Sequence, residues 1–137
     1  MKKIILVTAL LFLVSCQEEG ILTKDKETVV VTPIAELKYY GAFVPTSGIT
    51  VNGQAKIYLE NNLYKVHLED FTVSNGPDLK VYLSKADTPS EFVNLGNLTS
   101  QTVYSIPTTV NIADYTHVLI HCQQYNHLFA IAQLTTN

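Results

Sequence analysis

The chain contains two cysteines, and their thiols are its most reactive groups. Cys16 ends a short apolar leader, whereas Cys122 lies inside a late apolar run. A cysteine thiolate can be alkylated, can exchange with a disulfide, or can bind a metal ion or a haem iron. The segments that surround the two sulfur atoms therefore decide which of these reactions the chain can perform.

Two histidines close to Cys122 give that region the composition of a ligand set. His121 precedes the cysteine and His127 follows it by five residues. Adjacent residues of a strand point to opposite faces, so the three side chains could converge only at a β-bulge. His117 and His121 share one face and could hold zinc or copper only with a third ligand from elsewhere. Solvated histidines are the commoner case on such a face, and we expect no metal site.

Cys122 itself has two alternative roles. Alternation along the strand places Val118, Ile120 and Cys122 on one face, which directs the thiol towards the core. An unpaired cysteine in that position commonly behaves as a small hydrophobic residue. The alternative is a lightly shielded thiol near the strand end, which acts in redox chemistry or ligates a prosthetic group.

Residues 1–15 have the features of a bacterial signal peptide. Two lysines follow the initial methionine, and an uncharged apolar stretch runs from Ile4 to Val14. This stretch is about half the ~20 residues that a membrane-spanning helix needs. We therefore expect residues 1–15 to be removed during export.

The residues at the end of the leader predict a lipid anchor. Leu13-Val14-Ser15-Cys16 resembles the lipobox of bacterial lipoproteins, which implies that Cys16 is lipidated and becomes the mature N-terminus. The resemblance predicts a protein of the cell envelope that is anchored to a bacterial membrane. Gln17-Glu18-Glu19 resembles the export tags of outer-membrane lipoproteins, although an acidic linker start explains it equally well. We expect the outer membrane, with the protein facing the periplasm or the cell surface.

Charge and missing motifs exclude several functions. After removal of residues 1–15 the chain has seven lysines, no arginine and twelve acidic residues, which gives a formal net charge of −5. Phosphate recognition favours arginine and a dense basic patch, so we expect no nucleic-acid partner. The sequence has no serine elbow, no phosphate loop and no zinc-protease motif, which favours a protein that is not an enzyme.

The mature chain is long enough for one domain, which typically has roughly 100–150 residues. In the segment 16–38 the charges alternate in sign and Pro33 interrupts a β-branched run, which predicts a lipidated N-terminus followed by a flexible tether. We expect the folded domain to occupy residues 39–137.

The hydrophobic pattern of the domain has the two-residue period of half-buried strands. Ala55, Ile57 and Leu59 alternate with polar residues, Asn61-Asn62 reads as a tight turn, and the alternation resumes at Tyr64. Further strands are predicted at 79–83, 103–106, 118–122 and 128–134. The pattern predicts an all-β fold, a single antiparallel β-sandwich or partly open barrel of about seven to eight short strands.

Several blocks of residues between about 39 and 134 resemble the DM-thirteen domain family, an extracytoplasmic β domain that is often described as an electron transfer domain. The blocks, in chain order, are Asn75-Gly76-Pro77-Asp78-Leu79-Lys80-Val81-Tyr82-Leu83-Ser84, Leu95-Gly96-Asn97-Leu98, Tyr104-Ser105-Ile106-Pro107 and the strand from Val118 through Cys122 with its continuation to Leu134. The resemblance implies the same β fold and a role in electron transfer.

The resemblance also implies a role for Cys122 as a free redox thiol or as a ligand to a group such as haem. Its neighbours in such a site would be His121, Tyr125, His127 and Phe129. The chain departs from the family pattern at His121, where tryptophan is usual, and at Ala130, where glycine is usual.

Two functions therefore remain open from the sequence. The first is a membrane-anchored redox module centred on Cys122, with a redox or envelope protein as its partner. The second is a non-catalytic binding or accessory domain of the cell envelope, in which Cys122 fills space in the core.

Overall fold

The computed structural model describes residues 34–137, and the predicted signal peptide, Cys16 and most of the predicted tether lie outside the described residues. The strands of the described part, in chain order, are β1 (Glu36–Pro45), β2 (Val51–Glu60), β3 (Leu63–Val73), β4 (Leu79–Ser84), β5 (Phe92–Asn97), β6 (Val103–Ser105), β7 (His117–Cys122), β8 (His127–Gln133) and β9 (Thr135–Thr136). One short 3₁₀ helix, Ile112–Asp114, precedes β7. No helix among these residues is long and apolar enough to cross a membrane.

The strands form one antiparallel sheet that nearly closes on itself. Its order is β5-β4-β7-β8-β1-β2-β3-β6, and β9 pairs with the first half of β1. The two edge strands, β5 and β6, approach each other without a ladder of hydrogen bonds between them. This arrangement confirms the predicted all-β, barrel-like or sandwich-like fold.

Alternating side chains of the central strands form the core, as the two-residue period predicts. Most of the predicted inward positions of β2, β3, β4 and β7 are buried, and Ala55, Ile57, Val66, Val81 and Ile120 are each 0% exposed. Near the strand ends, Leu59, Tyr64 and Leu79 are half-buried. Strand β1 begins at Glu36, three residues before the predicted domain boundary, because Glu36 and Leu37 pair with β2.

The antiparallel order brings four connections to the same end of the sheet. The loops 46–50, 74–78 and 123–126 lie there, together with the start of the loop 98–102. We call this the motif end, because it contains the Asn75–Asp78 block. At the opposite end, the predicted turn between β2 and β3 is present, and Asn61 and Asn62 adopt φ values of 52° and 65°. Asparagine tolerates this left-handed conformation better than most residues.

Candidate functional site

Cys122 ends β7 at the motif end, and its side chain is completely buried. Its exposed fraction is 0%, and it belongs to the apolar core cluster with Val81, Ile120 and Phe129. On the neighbouring strands it pairs with Leu79 and with His127. A thiol surrounded by hydrocarbon cannot meet a dissolved oxidant or another thiol unless the structure around it opens.

His121 points to the other face of the sheet. The sequence predicts a solvated side chain there, and this prediction is wrong. The side chain is only 4% exposed, because its ring stacks on Tyr82 at 5.4 Å and Tyr82 stacks on Phe92 at 4.2 Å. His121 Nε2 lies 3.1 Å from Asn126 Oδ1, and Nδ1 has no hydrogen-bond partner among the described residues. Burial lowers the pKa of His121, since the imidazolium form loses its hydration.

The remaining predicted neighbours of Cys122 do not form a ligand set with it. A ligand set of this kind would require a β-bulge, and the register of β7 and β8 does shift between Ile120 and His121. Even so, His121 lies on the outer face, and His127 is exposed with its ring 5.0 Å from that of Phe129. Tyr125 is 67% exposed at the tip of the turn.

The histidines predicted as a possible metal pair also remain apart from other ligands. His117 Nδ1 lies 2.7 Å from the hydroxyl oxygen of Thr116, on a half-buried side chain. Within residues 34–137, no group of three or more His, Cys, Asp or Glu side chains is placed to bind a metal ion.

A cavity of about 430 Å³ opens at the motif end, beside the strand that pairs with Cys122. The residues that line it come from two segments, 73–79 and 97–99. They are Val73, Ser74, Asn75, Gly76, Pro77, Asp78, Leu79, Asn97, Leu98 and Thr99. Cys122 does not line this cavity, but its strand neighbour Leu79 does.

The residues present do not fit a haem. The cavity lining contains no cysteine, histidine, methionine or tyrosine, which are the side chains that ligate haem iron. The only described cysteine, Cys122, has its sulfur within the apolar core. We therefore assign no step of any function to a bound haem.

Lys80 joins the two segments of the cavity wall. Its ammonium group lies 2.9 Å from Asp78 Oδ1 and donates a hydrogen bond to Asn97 Oδ1. The Lys80 side chain is only 14% exposed, so water weakens these contacts less than at an open surface.

Backbone contacts fix the same wall. The amide of Leu98 donates to Leu79 O at 2.8 Å, and the amide of Gln123 donates to Asp78 O at 3.0 Å. The second bond holds the turn after Cys122 against the loop that precedes β4. The β7–β8 turn is therefore hydrogen-bonded directly to the cavity wall.

Sequence reasoning did not identify Lys80 and Asn97 as site residues. Both lie inside blocks that carried the family resemblance, but only the antiparallel pairing of β4 with β5 brings them opposite each other. In the sequence both are polar residues beside apolar ones, since Lys80 lies between Leu79 and Val81 and Asn97 precedes Leu98. This contrast is the signal that could have identified them.

A search of family models gives one finding for this chain. The model described as "Electron transfer DM13" matches residues 43–134, which are 92 of the 137 residues. No curated protein matches the chain, and no solved structure matches it.

Proposed function

Because the chain belongs to the Electron transfer DM13 family, we propose that it is a lipid-anchored accessory module of an electron-transfer system in the cell envelope. In this proposal the β domain supports electron transfer through contacts with a partner, and Cys122 has a structural role. The main observation in support of this proposal is the burial of Cys122, which is 0% exposed and therefore favours a structural role. The anchoring and the role of the cysteine are tested separately below.

The anchor rests on Cys16 and on the leader before it. The segment Leu13-Val14-Ser15-Cys16 has the order of residues that lipoprotein maturation recognises, and the seventeen residues 17–33 separate Cys16 from the first described residue, Ile34. One acyl chain alone binds a membrane only marginally, so stable anchoring needs the two or three chains that a lipoprotein cysteine carries.

Metabolic labelling with a palmitate analogue tests the anchor. We expect the full chain, expressed in a bacterium with lipoprotein processing, to incorporate the label and to fractionate with membranes. Cys16→Ser should lose both properties. Cys122→Ser is the matched control and should keep the label, because its thiol is not the one alkylated. Equal labelling of the Cys16→Ser chain would contradict the anchor.

The structural role of Cys122 predicts a thiol that is protected in the folded state. We expect Cys122 to react with a thiol reagent only under denaturing conditions, in a full chain whose Cys16 is either lipidated or replaced by serine. The purified protein should show no visible absorption band. Cys122→Ser should lower the free energy of unfolding by about 1–3 kcal/mol, because a hydroxyl would be buried without a partner. Cys122→Ala should cost less.

A second candidate function is a cysteine-centred redox module, and one observation favours it. Cys122 is the last residue of β7, and its strand neighbour Leu79 lines the cavity. An opening of the β7–β8 turn would expose the sulfur to a partner. The thiolate could then attack a partner disulfide, so that one new S–S bond forms and the other partner sulfur leaves as a thiolate.

Reaction rates separate the two candidates. If the redox candidate holds, the native thiol reacts with a small disulfide faster than the domain unfolds, and Gly replacements in the 123–126 turn accelerate the reaction. If Cys122 is structural, the reaction is limited by global unfolding and its rate follows the stability of each variant. A visible absorption band that disappears in Cys122→Ala would contradict both accounts, since neither contains a cofactor.

A further inference from the structure

The cavity at the motif end has no part in lipid anchoring or in the structural role of Cys122. Its volume of about 430 Å³ lies within the range of roughly 300–1,000 Å³ that small-molecule sites occupy. Its lining combines amide, hydroxyl and carboxylate groups with the apolar surfaces of Val73, Leu79 and Leu98. A ligand of this cavity would therefore need both hydrogen-bonding groups and apolar faces.

The walls of the cavity are held in place before any ligand arrives. Gly76 packs so closely that an added Cβ would lie 2.9 Å from both Leu79 Cδ2 and Phe129 Cζ. The hydroxyl of Ser74 accepts from the amide of Thr50 at 2.8 Å, which fixes the start of the loop. On the other wall, the amide of Thr99 donates to the hydroxyl of Tyr104 at 3.3 Å. A preformed site avoids part of the ordering cost of binding.

Lys80 sets the hydrogen-bonding pattern of the rim. Its ammonium group occupies Asp78 Oδ1 and Asn97 Oδ1. Because the Asn97 oxygen accepts from Lys80, the Asn97 amide presents its Nδ2 hydrogens as donors. Asp78 Oδ2 has no bonding partner among the described residues and remains an acceptor. The rim thus offers a fixed acceptor and a fixed donor that are held by the same ammonium group.

Asp78 and Asn97 both line the cavity, and an acceptor and a donor held by one ammonium group are the hydrogen-bonding complement of two neighbouring hydroxyls. One hydroxyl of a vicinal diol can donate its proton to Asp78 Oδ2, while the oxygen of the next accepts from Asn97 Nδ2. Lys80 already neutralises the charge of Asp78, so the rim offers no unpaired charge that would attract a charged ligand. Saccharides are a large class of neutral molecules that combine vicinal diols with apolar C–H faces.

We propose that the cavity lined by the segments 73–79 and 97–99 binds a neutral saccharide, with a vicinal diol held between Asp78 and Asn97. Lys80 is the positioning residue for both side chains. The site is independent of the electron-transfer proposal, because neither the lipid anchor nor the thiol of Cys122 takes part in it.

Titration calorimetry on the full chain in detergent micelles tests this site. The probes are the neutral trisaccharides N,N′,N″-triacetylchitotriose, mannotriose and maltotriose, and trigalacturonic acid serves as the charged comparison. We expect at least one neutral trisaccharide to bind with a Kd of roughly 1 mM or below, and more tightly than the charged one. Absence of binding by all three neutral probes, or tighter binding of trigalacturonic acid, would overturn the proposal.

Asn97→Asp is the decisive variant, because it replaces the donor by an acceptor and keeps the oxygen that bonds Lys80. We expect it to weaken binding of the positive probe by at least about tenfold. Asn94→Asp is the matched control on the same strand: it adds the same charge, and its oxygen keeps the bond to the Gly96 amide, which the structure gives as 2.9 Å. Equal weakening by both variants, or by neither, would contradict the site.

A change in the ligand tests the diol without any change in the protein. Periodate cleaves vicinal diols, and subsequent borohydride reduction leaves a neutral open-chain product. We expect the treated trisaccharide to lose binding to the unmodified chain by at least about tenfold. Retained affinity after complete cleavage would overturn the assignment of the diol, even if Asn97→Asp failed to fold.

Discussion

Cys122 and His121 are neighbours in the chain, yet β7 directs them to opposite faces of the sheet. The cysteine enters the apolar core, where a sulfur atom packs without a polar partner. The histidine lies under aromatic rings on the outer face and keeps one hydrogen bond, to Asn126. Alternation predicts which face each residue takes, but it does not predict that the outer face is also buried at His121.

The buried His121 makes stability depend on pH. Burial lowers its pKa, so in mildly acidic solution the unfolded chain binds a proton that the folded chain does not. The stabilising contribution is present above the unfolded pKa of about 6.5 and is lost as the pH falls below that value towards the folded pKa. We therefore expect the unmodified chain to lose more stability than His121→Gln between about pH 7.5 and about pH 5.5.

Urea unfolding of both chains at the two pH values measures this difference. The contributions of His67 and His117, which are common to both chains, cancel in the comparison, whereas the charge of His127 acts on His121 only in the unmodified chain. An identical pH dependence for the two chains would show that His121 binds its proton equally well in the folded and unfolded states.

At the scale of the elements, regular strands could be predicted from the sequence and irregular ones could not. The buried residues Ala55 and Ile57 of β2 and Val66 and Leu68 of β3 alternate with more exposed ones, and the asparagine pair marks the turn between the two strands. These strands also contain a register shift, between Asn52 and Gln54, but the alternating stretch beyond it is long enough to be recognised. Strand β5 was missed because its pairing with β4 shifts register and Gly96 adopts a φ of 131°. A bulge of this kind breaks the two-residue period on which strand recognition depends.

The cavity was missed for a different reason. Its walls come from segments about twenty residues apart, and their contact depends on which strands pair. The position of Cys122 on the core face could be predicted, whereas the ion pair of Asp78 with Lys80 and the bond to Asn97 require the register of β4 and β5.

The close packing of the loop before β4 depends on the absence of a side chain at Gly76. Gly76→Ala would place a methyl group 2.9 Å from two carbon atoms of Leu79 and Phe129, so the loop or the core must move. We expect a loss of about 1–3 kcal/mol in the free energy of unfolding. Asn75→Ala, at the exposed neighbouring position, should change it by less than about 0.5 kcal/mol. Chemical denaturation of the two variants checks this, and equal effects would argue against a steric role for Gly76.

For the domain as a whole, one hydroxyl bridges the place where the sheet fails to close. Tyr104 is 3% exposed, and its hydroxyl lies 3.2 Å from Asn97 O at the end of β5 and 3.1 Å from Gln101 O in the loop that follows, two acceptors that share its one proton. It also accepts from the Thr99 amide at 3.3 Å. The two edge strands are thus joined by a side chain where the backbone ladder is interrupted.

Tyr104→Phe should weaken this closure. We expect a loss of about 1–2 kcal/mol in the free energy of unfolding, because buried backbone groups lose their partner. Amide hydrogen exchange at Thr99 should also become faster than in the unmodified chain. Tyr40→Phe, at a position that is 39% exposed, is the control and should leave both measurements nearly unchanged. Unchanged exchange at Thr99 in Tyr104→Phe would contradict the bridging role.

The direction of β1 has a consequence for how the protein can evolve. The chain enters the domain at Glu36, at the end of the sheet opposite the cavity, and a ten-residue strand spans roughly 33 Å. In an anchored molecule, insertions or deletions upstream of Glu36 would change the standoff of the domain from the lipid surface without altering the cavity rim. If the proposed anchor and the proposed ligand site are both correct, the length of the tether and the choice of ligand can change independently of each other.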